Sequence, residues 1–149
     1  MSKSKVIVLE DNFAAVRKQI TGDGLLKAAR GGGRVIQSYA MINAERVFSA
    51  NSKQELAGSI QVVDSKSTPT HAEVDVGPAV IYGRIHELGG IILPVHAKML
   101  SWVDNGKRIF AKRVQIPARP YLRPAVDEHE NEIGDAVGYQ LRKQIEDVT

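Results

Sequence analysis

Ile116-Pro117-Ala118-Arg119-Pro120-Tyr121-Leu122-Arg123-Pro124-Ala125-Val126 decides how this chain is built. Three prolines fall within eight residues, with two arginines between them. Each proline fixes φ at about −65° and biases its predecessor towards extended backbone. The stretch reads as a stiff, extended corner. A helical pattern follows at once, and Pro124 suits the first turn of that helix, where a missing N–H costs nothing. The corner is a strand-to-helix joint, so the chain mixes both kinds of structure.

Upstream of the corner, Asn105-Gly106 is the favoured two-residue type I′ turn, because both positions need φ > 0. That turn sets the register of a hairpin, with Trp102 opposite Ile109 and Leu100 opposite Ala111. These four share one face; Ser101, Val103, Arg108, Phe110 and Lys112 share the other, which is mixed. Downstream, Val126, Ile133, Val137, Leu141 and Ile145 recur at helical spacing and predict one amphipathic helix over 124–147. Arg142 and Lys143 lie near its C-terminus, where cations suit the helix dipole.

Earlier in the chain a second hairpin is expected. Ser59 to Val63 reads as a strand, and His71-Ala72-Glu73-Val74-Asp75-Val76 alternates, with Ala72, Val74 and Val76 on one side. A polar loop containing Pro69 joins them, which makes the pair antiparallel. Tyr82 to Leu88 reads as a short helix ended by Gly89-Gly90, with Ile91-Ile92-Leu93-Pro94 leading out. The N-terminal third is helical. A helix over 11–21 has Asp11 or Asn12 as cap, Phe13, Val16 and Ile20 on one face, and Gly22 as its end. A second helix starts near Leu25, and Gly31-Gly32-Gly33 is expected to weaken or break it, each glycine costing roughly 1 kcal/mol against alanine. The pattern resumes from Arg34 to Ala50, with Val35, Tyr39, Ile42 and Phe48 near one face and Asn51-Ser52 closing it. The fold class is therefore α+β: a small, mostly antiparallel sheet with N-terminal helices and a C-terminal amphipathic helix packed on it. One domain over 1–149 is expected, its helical part about 11–50 and its sheet and last helix about 56–147.

Composition narrows the function classes. A hydrophobic share of 43% and a charged share of 25% suit a globular chain with a working core. Zero cysteines exclude disulfides, thiol catalysis and thiolate metal sites. The apolar run in Lys3-Ser4-Lys5-Val6-Ile7-Val8-Leu9-Glu10 is too short for a signal-peptide core, and no run reaches the ~20 residues of a membrane span. The net charge of +3 says little, but its placement says more. From Asn105 to Val126 there is no acid, against Lys107, Arg108, Lys112, Arg113, Arg119 and Arg123. Asp127, Glu128, Glu130, Glu132 and Asp135 then follow. Acids at a helix start suit the dipole; a basic and an acidic face could also meet between subunits.

No catalytic motif is complete in this sequence. His86-Glu87-Leu88-Gly89-Gly90 begins like the helical zinc motif H-E-x-x-H, but Gly90 stands where the second ligand belongs. His71, His96 and His129 are scattered, so no metal or other cofactor is expected. Gly31-Gly32-Gly33 lacks the frame of a phosphate loop, and there is no G-x-S-x-G elbow. No enzyme is expected. The basic stretch 107–123 leaves a nucleic-acid-binding module as the alternative, with only Phe110 and Tyr121 for stacking.

Two segments in order carry a family resemblance. Tyr82-Gly83-Arg84-Ile85-His86-Glu87-Leu88-Gly89-Gly90 resembles the Y-A-R-x-x-E/Q-x-G-G segment of tailed-bacteriophage tail-completion or neck proteins. These are the phage virion morphogenesis or tail-component proteins. Phe110-Ala111-Lys112-Arg113-Val114-Gln115-Ile116-Pro117-Ala118-Arg119-Pro120-Tyr121-Leu122 is similar to their F-A-K-x-V-x-I-P-A-R-P-F/Y-L signature. The intervening hairpin after Lys98-Met99, and the L-x-x-S-I opening at Leu56 to Ile60, also match; the resemblance spans about 56–133. It implies a non-enzymatic structural protein of the virion neck or tail, made in the host cytoplasm. It implies a homo-oligomeric ring, of roughly six subunits, meeting tail-tube or head-connector proteins and surrounding the DNA passage, with no membrane. Candidate interface or motif residues are Tyr82, Arg84, His86, Glu87, Gly89, Arg113, Pro117, Arg119, Pro120, Tyr121 and Arg123. Arg119 and Arg123 have a rival role, pairing with carboxylates inside the subunit.

Overall fold

The computed structural model describes residues 16–18, 20–48 and 50–147. Residues 16–18 and 20 are helical, and Gly22, at φ 60°, precedes the next helix. The cap at Asp11 or Asn12, and Phe13, lie outside the described residues. The elements that follow are α1 (Asp23–Val47), α2 (Ala50–Ser59), β1 (Ile60–Thr68), β2 (His71–Pro78), α3 (Gly83–Leu88), β3 (Gly90–Ile92), β4 (Leu100–Asp104), β5 (Lys107–Ala111), β6 (Val114–Ile116), α4 (Leu122–Asp127) and α5 (Glu130–Glu146). The class is α+β, as the sequence predicts.

The 25-residue α1 runs unbroken through Gly31-Gly32-Gly33, against the expected break. Packing overrides local propensity there. A Cβ on Gly31 would stand 2.8 Å from Gln140 Cγ, and one on Gly32 2.9 Å from Val137 Cγ2. One on Gly33 would stand 2.9 Å from Val62 Cγ1 and 3.2 Å from Val74 Cγ2. The glycines form a notch that takes α5 on one side and the β1–β2 ribbon on the other. The lost propensity is offset by close helix–helix and helix–sheet contact. The buried stripe of α1 is correspondingly small: Ala28, Gly32, Gly33, Ala40 and Ala44, with Phe48 just beyond its end. Ile42, expected on that face, is exposed. The helix also ends earlier than expected, because Phe48 is extended (φ −107°, ψ 151°). Asn51-Ser52 lie within α2 rather than closing anything.

The expected single C-terminal helix is two. Glu128 and His129 break it, and the reason is tertiary. Ala125 of α4 is buried in the core, while α5 must turn to enter the glycine notch. The turn is fixed by a three-residue cluster. The His129 ring stacks on Tyr39 of α1, centroids 3.3 Å apart. The Tyr39 hydroxyl donates to Glu132 Oε2 at 2.6 Å, and His129 Nδ1 lies 3.0 Å from Glu132 Oε1. At the far end of α5, buried Gln144 donates to the Gly24 carbonyl at 3.1 Å.

The strands form three separate two-stranded antiparallel ribbons rather than one small sheet. β1 pairs with β2 as expected, is longer than expected, and carries an irregularity between Asp64 and Lys66. Ala72, Val74 and Val76 lie inward and His71, Glu73 and Asp75 outward. Arg30 forks onto Asp64, its Nε donating at 2.8 Å, and ties β1 to α1. β4 and β5 keep the predicted register, Trp102 opposite Ile109 and Leu100 opposite Ala111, around Asn105 at φ 47° and Gly106 at φ 77°. β3 pairs with β6, Gly90 opposite Ile116 and Ile92 opposite Val114. Residues 90–116 therefore make one excursion, closed at its base by β3–β6 and at its tip by β4–β5. The core lies elsewhere, among Ala40, Ala44, Phe48, Leu56, Ala57, Ile60, Tyr121 and Ala125.

Candidate functional site

The two signature segments fold onto each other. α3 carries Glu87, and its carboxylate reaches the strand-to-helix corner. Oε2 accepts hydrogen bonds from the backbone N–H of Tyr121 (2.7 Å) and Leu122 (2.9 Å), and Oε1 from that of Arg123 (2.9 Å). These are the unpaired donors at the start of α4. The next residue is Pro124, which has no N–H to satisfy. One distant carboxylate and one proline thus complete the helix start, and the negative charge suits the dipole there. No side chain of the corner itself caps α4.

Further bonds close the same clasp. The Arg119 N–H donates to the His86 carbonyl at 2.7 Å. The Tyr121 hydroxyl donates to the Gly83 carbonyl at 3.1 Å, and Asn43 of α1 donates to the Tyr121 carbonyl at 3.1 Å. Tyr121 is 0% exposed, and burial and the Glu87 carboxylate push its pKa up to about 12. Gly89 is in the left-handed region at φ 70°, and a Cβ there would stand 2.8 Å from the Ala118 backbone nitrogen. Only glycine allows the helix end and the corner to run this close. The Tyr82 hydroxyl is pushed up by burial and by Glu55.

His86 is a packing residue. Its ring meets Phe48 edge-on at 4.7 Å and Tyr82 at 6.0 Å. Its Nδ1 is buried without a hydrogen-bond partner. Burial, then the Arg119 guanidinium, lowers its pKa, which keeps the imidazole neutral. Among the described residues no three His, Asp or Glu side chains gather as a metal site.

Of the predicted residues, the structure brings together Tyr82, His86, Glu87, Gly89 and Tyr121, with the backbone of Arg119 and Arg123. Pro117 and Pro120 shape the corner. Arg84 and Arg113 are exposed outside the clasp. Arg123 lies 3.7 Å from Asp127 of its own chain, but both are exposed, so the pair adds little. Arg119 and Arg113 have no ion pair among the described residues. The sequence reading missed the glycine notch, Asn43, and the Tyr39–His129–Glu132 cluster. The spacing Ala28, Gly32, Ala40, Ala44, in steps of four and eight, was the visible signal for the first.

The segments that lock together at Glu87 are the two signature segments, and a family model places them in one frame. The model of the phage virion morphogenesis family matches residues 15–142. The chain belongs to this family. No curated protein and no solved structure matches it. The family match reaches beyond the 56–133 signature region, so the glycine notch of α1 and most of α5 belong to it too. As a virion morphogenesis protein the chain has a structural, assembly role in the phage. Among the described residues no helix is long and apolar enough to cross a membrane. The clasp suits such a role, since its acid, Glu87, is engaged by three backbone N–H groups.

Proposed function

We propose that this family member completes the phage tail and helps to join it to the head, as one subunit of a closed ring of roughly six identical copies. Subunits of a ring meet head to tail, so each needs two different, complementary patches. The observation that carries the reading is the separation of charge. Lys107, Arg108, Lys112, Arg113 and Arg119 are exposed on one region, and Glu128, Glu130 and Asp135 are exposed at the start of the last helix. None of these has an ion pair among the described residues. The ring would leave one face for the tail tube, the other for the head connector, and an opening for DNA. Mass measurement in solution followed by electron microscopy with tail tubes tests the reading. Rings capping tube ends are expected, and Arg119→Glu should weaken them while leaving the monomer folded. Assembly by Arg119→Glu equal to the unmodified chain would sink the assignment of that residue.

A second reading places the exposed cations of 107–113 on DNA phosphates. It predicts duplex binding that falls steeply with salt. Absence of binding at low salt removes it.

A further inference from the structure

The excursion from Gly90 to Ile116 exposes what a body would bury. Its tip ribbon, β4–β5, pairs only within itself. A lone two-stranded ribbon is marginal in water. Trp102 is 40% exposed, Phe110 59% and Val103 64%. Val103 faces Arg108 across the ribbon, and Phe110 sits diagonal to it on the same face. The arm also carries Lys98, Lys107, Arg108, Lys112 and Arg113 against one acid, Asp104. Exposed apolar groups gathered in one place mark a contact surface.

A complementary surface lies on the body. Between α1, β2 and α4 runs a groove lined by Ile36, Val74, Val76, Leu122 and Val126, with Asp127 and Arg123 at its edge. Its floor is apolar. Its edge runs on in the chain to Glu128 and Glu130, which have no ion pair among the described residues. Asp127 and Arg123 pair with each other at the edge, so the charge that complements a basic ribbon is that of Glu128 and Glu130 just beyond it, and the floor complements its apolar groups.

We propose that the β4–β5 arm of one copy seats in the α1–β2–α4 groove of a second copy, with Val103 and Phe110 on the apolar floor and Arg108 towards Glu128. The arm and the groove are different surfaces, so the contact is head to tail and can repeat around a ring. The proposal rests on the ring reading above and names the surfaces that carry it. A tail-tube protein or DNA would also meet a basic arm. DNA phosphates give no reason for exposed Val103 and Phe110, and the second copy supplies both the apolar floor and the acids.

The chain has no cysteine and one tryptophan, Trp102, on the arm itself, so both serve as clean probes. The test uses the full-length Val103→Cys/Val126→Cys variant, assembled alone or with tail tubes and then oxidised. Seating predicts a ladder of covalent oligomers, at most a dimer from either single variant, and a blue shift of Trp102 emission on assembly. Arg108→Glu should weaken assembly about tenfold, and Glu128→Lys should restore it. Sedimentation of the unmodified chain separates the two failures. Assembly without a ladder, or with cross-links inside one chain or to a tube protein, overturns the arm seating and leaves the ring. No assembly of the unmodified chain in either condition overturns both.

Discussion

The clasp and the arm are joined in sequence and opposite in character. In the clasp, between α3 and the corner before α4, polar groups are matched and backbones touch. Glu87 takes three N–H groups, Tyr121 is fully buried and bonded at both its hydroxyl and its carbonyl, and Gly89 leaves no room for a Cβ. In the arm, Phe110 and Val103 face solvent and five cations stand unpaired among the described residues. The clasp is finished within one chain. The arm leaves apolar groups and cations exposed, which is what the proposed contact with a second copy would cover. A signature that spans both therefore mixes residues that hold the fold with residues that the fold leaves exposed.

The largest expected effect is at the centre of the clasp. Glu87→Ala leaves three N–H donors at the start of α4 without a protein acceptor. Hydrogen bonds to charged groups are worth about 1.5–3 kcal/mol each, part of which water recovers at this half-buried site, so about 2–4 kcal/mol of stability should go. Urea melts would measure it. Glu87→Gln keeps one acceptor oxygen and should recover part of the loss. A change below about 0.5 kcal/mol in Glu87→Ala would erase the contrast between the two regions.

Sequence and structure agree most where the cause is local. The Asn105-Gly106 turn needs positive φ at both positions, and that alone sets the β4–β5 register. The alternation of Ala72, Val74 and Val76 needs only a buried side. Disagreement appears where the cause lies far along the chain. Gly31-Gly32-Gly33 looks like a break because propensity is a property of the helix alone, while α5, some hundred residues on, fills the notch. The last helix reads as one because nothing nearby announces that His129 will stack on Tyr39. Glu87 was legible as a motif acid, not as a cap, because its donors lie 34 to 36 residues away. The three-residue β3–β6 ladder is too short to leave a pattern.

A smaller effect comes from His86 at the edge of the clasp. Its folded pKa lies below the ordinary 6.5, from burial and then Arg119. As pH falls through about 6.5, the unfolded chain takes up the proton first. The unfolded state then binds more protons, so stability drops as pH falls from about 6.5 to the folded pKa, and the contribution is flat above about 6.5 and below the folded pKa. His86→Phe removes this group, and its melting temperature should vary less between roughly pH 7 and 5 than that of the unmodified chain. Equal pH profiles would show that the imidazole is not held neutral in the folded chain.

The smallest effect on stability belongs to the arm. Phe110 has no ring partner among the described residues and stands on a ribbon that packs on itself. Phe110→Ser therefore removes an exposed ring and leaves no cavity, so monomer stability should change by no more than about 0.5 kcal/mol. Truncation of a buried residue such as Leu56, which is 1% exposed, to alanine should instead cost about 2–5 kcal/mol. Assembly should rank the two variants the other way. Phe110→Ser subunits should melt like the unmodified chain yet sediment as smaller species, while Leu56→Ala subunits that remain folded should still assemble. A Phe110→Ser chain that loses stability and assembles normally would make the arm part of the folded body, and the contrast between the two regions would fail.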